Sequence, residues 1–172
     1  MKKLLLVSLV SILAVTFVFP TSASDPAEVT ATVTPKLISI KIANGYPSSV
    51  DYGVWDLGSA EATPISPTAD PVLRVENNGN IQENFRIRGA DATATGSTWE
   101  LSDTQGSKMY IHKFGLGSSP LTYTPLTKTN GILVDGIDPD FTQDFKLKIE
   151  MPSSTDSFEQ HSTTVTVIAE SS

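Results

Sequence analysis

From Val29 onward apolar and polar positions alternate. Val29, Ala31 and Val33 are separated by threonines, Ile38, Ile40 and Ile42 continue after Pro35, and Val50, Tyr52 and Val54 follow. Alternation with a period of two places one face of an extended chain on a core and the other in water. Further runs of this kind are Val72 to Val75, Phe85 with Ile87, Trp99 with Leu101, Tyr110 to Phe114, Ile132 to Val134, Phe145 to Ile149 and Thr163 to Ile168. No apolar spacing of three and four stands out, and the abundant Thr, Val and Ile suit pleated, half-buried surfaces. Turn signals lie between the runs: Asn44-Gly45, Asn78-Gly79, Asn130-Gly131 and Asp135-Gly136. Asn-Gly and Asp-Gly supply positive φ at little steric cost. Many short strands without helical segments predict an all-β fold, an antiparallel β-sandwich of immunoglobulin-like type.

The first residues follow another pattern. Lys2 and Lys3 precede an apolar run from Leu4 to Phe19, Pro20 ends it, and Ser22, Ala23 and Ser24 are small. Charge, apolar helix and small residues, in that order, read as a secretory signal peptide over residues 1–24, cleaved after Ala23 or Ser24. The run is shorter than the roughly 20 residues of a membrane span. Residues 25–172 are then expected to fold as a single domain, exported to the outside of the cell or held at its surface by non-covalent contacts. The Ser/Thr/Pro-rich stretch Ser59 to Pro71 reads as a long loop, or an edge strand broken by Pro64 and Pro67.

Composition removes several classes of function. Among the 172 residues there is no cysteine, which excludes disulfides, cysteine-ligated metals and thiol nucleophiles. The chain has 12 basic and 19 acidic side chains, a formal charge of -7. Loss of residues 1–24 would remove two lysines and no acid, leaving 10 against 19 and a charge of -9. An acidic surface disfavours a phosphate backbone, so nucleic acid is not an expected partner.

Two segments carry a family resemblance. Val50-Asp51-Tyr52-Gly53-Val54-Trp55-Asp56-Leu57-Gly58 resembles the D-F-G-x-V-x-x-G strand and turn of bacterial immunoglobulin-like surface modules. Asn77-Asn78-Gly79-Asn80, preceded by Leu73-Arg74-Val75, is similar to their N-x-G-N turn, and Phe145 to Ala169 resembles their closing hairpin. The resemblance implies a non-catalytic module of a cell-surface, adhesive or matrix protein.

Candidate chemistry is sparse. Only His112 and His161 could act as a neutral-pH base, and a Ser-His-Asp arrangement is formally open. Yet the chain has no Gly-x-Ser-x-Gly elbow and no His-Glu-x-x-His helix, so both histidines read as strand or loop residues. No catalytic or cofactor-binding residue is assigned. Asp135, Asp138, Asp140 and Asp144 fall within ten residues around Gly136 and Pro139. Calcium takes about six to eight oxygens, but the EF-hand spacing is missing and aspartate also builds turns, so no metal site is assigned. Trp55, Trp99, Tyr110 and Tyr123 could offer sugar-stacking platforms; Trp99 reads as core, whereas Val54 and Trp55 would point to opposite faces. Polar strands between Asp91 and Thr104 set register weakly and leave edges able to pair.

The expectation is a secreted, non-enzymatic structural or adhesive β-sandwich, with a carbohydrate- or envelope-binding module as the alternative. Its partners would be a surface glycan, a surface protein, or further copies joined through edge strands. Pro35 divides Val29 to Val33 from Ile38 to Ile42, so the two short strands either complete opposite sheets of their own sandwich or Val29 to Val33 leaves it to complete a neighbour's sheet.

Overall fold

The inward rows of the strands decide the architecture. In a computed structural model, which describes residues 32–172, buried and less buried positions alternate along Leu73–Asn77 (β2), Glu83–Arg88 (β3) and Ser97–Leu101 (β5). The remaining strands are Ile40–Ile42 (β1), Ala92–Ala94 (β4), Met109–Leu116 (β6), Thr124–Pro125 (β7), Gly131–Ile137 (β8), Thr142–Glu150 (β9) and Thr166–Ser171 (β10). Residues 35–172 form one compact unit. The signal-peptide segment and most of the Val29–Val33 run lie outside the described residues.

The strands make two sheets. The larger runs β1-β2-β9-β6-β5-β4, with β7 also on β6, and the smaller runs β10-β3-β8. Their inner faces share one core: Val75, Tyr110, Phe145 and Leu147 from the large sheet meet Phe85, Ile87 and Leu133 from the small one. Fully burying such a side chain stabilises by about 1.5–3 kcal/mol. This is the expected all-β, sandwich-like arrangement.

Four details differ from the sequence reading. First, the pairing is mixed: β5 and β6 run parallel, Glu100 opposite Met109 and Leu101 opposite Tyr110. The loop between them turns twice, with Lys108 at φ 54, so β6 returns in the direction of β5. Second, Val50 to Val54 is no strand. The Asp51 carboxylate accepts the Gly53 N–H at 2.8 Å and Gly53 takes φ 76, which ends the extended run after the single Asp51–Ser66 bridge. Third, Phe145 to Ala169 is no hairpin, because β9 lies between β2 and β6 while β10 pairs with β3. The connection is a crossover from one sheet to the other. Fourth, Gly45 and Gly136 adopt the positive φ of their turns, but Gly79 and Gly131 do not. Gly131 opens β8, and Gly79 serves a close approach described below.

Ser59 to Pro71 is the expected long loop. It pairs with the large sheet through a bridge from Ala62 to Ile149, adds ion pairs from Glu61 to Lys113 and Lys148 and from Asp70 to Lys146, and buries Ala62 and Pro64.

Candidate functional site

His112 sits on β6 with its side chain buried, and its Nε2 lies 2.8 Å from the Tyr52 hydroxyl. Its Nδ1 has no hydrogen-bond partner among the described residues. Burial pushes the imidazole down to about 4, which keeps it neutral at physiological pH. Burial also pushes the neighbouring Tyr110 hydroxyl up to about 12 and the Tyr52 hydroxyl above its ordinary range. At 2% exposed, the side chain is spent on the Tyr52 hydroxyl inside the core. His112 is a core residue.

His161 comes closer to chemistry. Its ring stacks on Trp99, 3.8 Å between centroids and 14° between planes. Its Nε2 lies 3.1 Å from the Ser97 hydroxyl, and Ser97 lies 2.6 Å from the Asp156 carboxylate. Serine, histidine and aspartate are thus brought together, but in the wrong order for nucleophilic catalysis. A triad needs the carboxylate on the far nitrogen of the histidine. Here that nitrogen, Nδ1, faces the Glu159 carbonyl at 2.9 Å, and the carboxylate competes for the serine proton instead. Hydrogen bonds from Lys108 and then Ser97 hold Asp156 down at about 2. The cluster fastens the crossover between the sheets over β5, helped by the Trp99 indole N–H donating to Thr155 at 2.9 Å.

The four aspartates are not gathered around a common point. Asp144 takes a forked ion pair from Arg74, which holds its carboxyl below the usual range. Asp135 pairs with Arg86, Asp138 accepts from Gln82 at 3.0 Å, and Asp140 occupies the turn at φ 65. Two of the four charges are therefore answered by arginines. The aromatics divide as follows: Trp99 and Tyr110 are buried, and Lys148 stands 4.3 Å over the half-buried Tyr123 ring. Val54 is fully exposed and Trp55 39% exposed, its indole N–H turned back to the Tyr52 carbonyl. Both face outward because the strand that would have separated them is a turn.

The most elaborate polar arrangement lies where the chain enters the unit. The inward row of β2 ends on Asn77 and that of β3 begins on Glu83, both completely buried. Asn77 donates to the Ile81 and Ile137 carbonyls, each at 2.8 Å, and accepts the Gly79 N–H at 2.8 Å. Glu83 accepts the Ser39 N–H at 2.8 Å. Asn80 grips the incoming chain from both sides, accepting the Leu37 N–H at 2.7 Å and donating to the Pro35 carbonyl at 2.8 Å. Backbone bonds from Asn80 to Leu37 and from Asn78 to Ser39 complete the clamp. The Asn77-Asn78-Gly79-Asn80 motif is thus a receptor for residues 35–39. Sequence reading found the motif and missed its partner, since nothing local joins positions some 40 residues apart.

Strand edges form the second feature. Among the described residues β8 pairs with β3 alone, leaving its other side open over seven residues. Ile132 of β8 also lines a cavity of about 210 Å³, together with Phe114, Leu116, Leu121, Thr122 and Thr124. Ile132 is 64% exposed and Leu121 wholly so. Alternation alone hid this feature, because the pattern gives the face a residue takes but not whether its strand ends a sheet.

Compared with known proteins, the chain matches no family model, no curated protein sequence and no solved structure.

Proposed function

We propose that this is an exported, non-enzymatic structural or adhesive protein of a bacterial surface, built on an immunoglobulin-like module. The observation that carries the reading is where the reactive side chains are spent. His112, Tyr110, Ser97, His161 and Asp156 are all engaged in holding strands and crossover together. Apolar side chains, in contrast, stand exposed at Ile132 on β8 and at Leu121 across the cavity, as they do on surfaces made for contact. The sequence of residues 1–24 supports export. Expression with the native leader, fractionation and N-terminal sequencing test it. The expected product begins at Ser24 or Asp25 and is recovered outside the cytoplasm. Recovery in the cytoplasm with Met1 intact would overturn the reading.

A carbohydrate- or envelope-binding module is the second reading, favoured by the outward Val54 and Trp55. Sugar faces stack on exposed indoles, so retention on a polysaccharide array, lost in Trp55→Ala, would select it over a purely structural role.

A further inference from the structure

We propose that the open edge of β8 and the apolar cavity beside it receive the Val29–Val33 segment of a second copy of this chain. Copies would then join head to tail by strand addition. The inference rests on the export reading, which makes residue 24 or 25 the start of the segment.

The receiving site is argued from what an edge needs in order to accept a strand. Backbone groups supply affinity, and pockets for alternate side chains supply register. Among the described residues five strands pair with one neighbour only: β7 with two residues, β1 and β4 with three each, β10 with six, and β8 with seven. β4 is also covered by the bridge from Thr93 to Ser162. β8 is the longest, and it flanks a cavity that reaches the core at Phe114. Proteins ordinarily blunt such an edge with lysine, proline or a bulge. On β8 the pairing with β3 shifts twice, at Leu133 and again at Asp135–Gly136, while Ile132, which lines the cavity, keeps its side chain 64% exposed.

The occupant is argued from the chain before Pro35. Valine, alanine and valine alternate with threonine over residues 29–33, so an added strand would turn small apolar side chains to one face. The ten residues from Asp25 to Thr34 reach about 33 Å when extended, more than β8 needs at about 3.3 Å per residue. Pro35 biases Thr34 toward extended backbone, and the Asn80 clamp fixes Pro35 itself. Val33 is 93% exposed, as an arm awaiting a partner would be. A donor arm and an acceptor edge that are different parts of the chain make a heterologous contact, which propagates into rings or filaments.

The test uses the mature chain and three variants: a donor variant carrying Val29→Asp and Val33→Asp, and two acceptor variants, Ile132→Lys and Leu121→Lys. The acceptor positions are exposed, so both variants should keep the parental unfolding midpoint. Sedimentation over a concentration series should give a ladder of species for the parent and monomer alone for the donor variant and for Ile132→Lys. Mixing the donor variant with Ile132→Lys removes neither its intact acceptor nor the other's intact arm, so the mixture should yield dimers and nothing larger. A parent that stays monomeric at its solubility limit would overturn the proposal, as would acceptor variants that assemble like the parent. Protection of the Val29–Val33 amides in a monomer would also overturn it, by placing the strand in its own unit. None of these failures touches the export reading, which stands or falls on the N-terminal sequence.

Discussion

His112 illustrates how one side chain sets a pH response. Its ordinary value is 6.5 and burial lowers it to about 4 in the folded chain. Between those values the unfolded chain binds a proton that the folded chain refuses. Stability is therefore full above pH 6.5 and is lost as the pH falls from 6.5 toward 4. At about 1.4 kcal/mol per unit, the whole window is worth roughly 3 kcal/mol. The lowered carboxyls of Asp144, Asp156 and Glu61 add their own losses only below their ordinary values of 3.8 and 4.5, so the upper part of the window is separable. His112→Gln keeps an acceptor for the Tyr52 hydroxyl but cannot be protonated. We expect its denaturation midpoint to be lower at neutral pH, and flat between pH 6.5 and 5 where the parent declines. Parallel pH profiles for the two proteins would refute the assignment.

At the scale of elements, β1 owes its place less to its own three residues than to the turn that receives the chain before it. Gly79 is the tight point: a Cβ there would overlap the Glu83 carboxylate and the Leu37 carbonyl, with the Asn77 side chain 3.1 Å away. Gly79→Ala should therefore displace Leu37–Ser39, costing about 1–3 kcal/mol through the strained and unpaired groups it leaves. Hydrogen exchange at the Leu37 and Ser39 amides should rise many-fold while that of β9 stays near the parental rate. Unchanged exchange at those two amides would remove the clamp from the account. The sequence disclosed much of this level. β2, β3, β5, β6, β8 and β9 fall on the apolar runs of the sequence, β2, β3 and β5 with a strictly alternating buried row. The misses have physical causes. Asp51 captures the Gly53 amide and breaks an alternating run, a competition between side chain and ladder that a hydropathy pattern does not register. β4 and β7 are too short and too small-residued to carry a pattern. Sheet membership of β10, and with it the crossover, depends on partners far away in the chain. The His161–Ser97–Asp156 cluster was invisible for the same reason, its members being brought together only by that crossover.

For the whole molecule, charge and shape pull in opposite directions. Each chain carries -7, or -9 without residues 1–24, and its sequence pI is near 4.7. Many of its cations are already matched: Arg74 by Asp144, Arg86 by Asp135 and Glu170, and Lys113 by Glu61 and Glu150. The excess charge is thus a field that every copy presents to every other copy. Strand addition brings these like-charged bodies within a few tens of ångströms, and the repulsion opposes the backbone and apolar gain at the β8 edge. Salt shortens the range of that repulsion to about 8–10 Å near physiological ionic strength and to about 3 Å at 1 M. The contact itself is made of backbone hydrogen bonds and Val, Leu and Ile side chains, which salt does not weaken. Assembly of the mature chain should accordingly strengthen as sodium chloride is raised at pH 7, with sedimentation showing longer species at equal protein concentration. Lowering the pH toward 4.7 would also reduce the repulsion, but it enters the window in which His112 destabilises the fold, so salt gives the cleaner reading. The donor variant should stay monomeric throughout the same series, which separates arm exchange from unspecific salting-out. Assembly that weakened with added salt would mean that ion pairs, and not an inserted strand, hold the copies together.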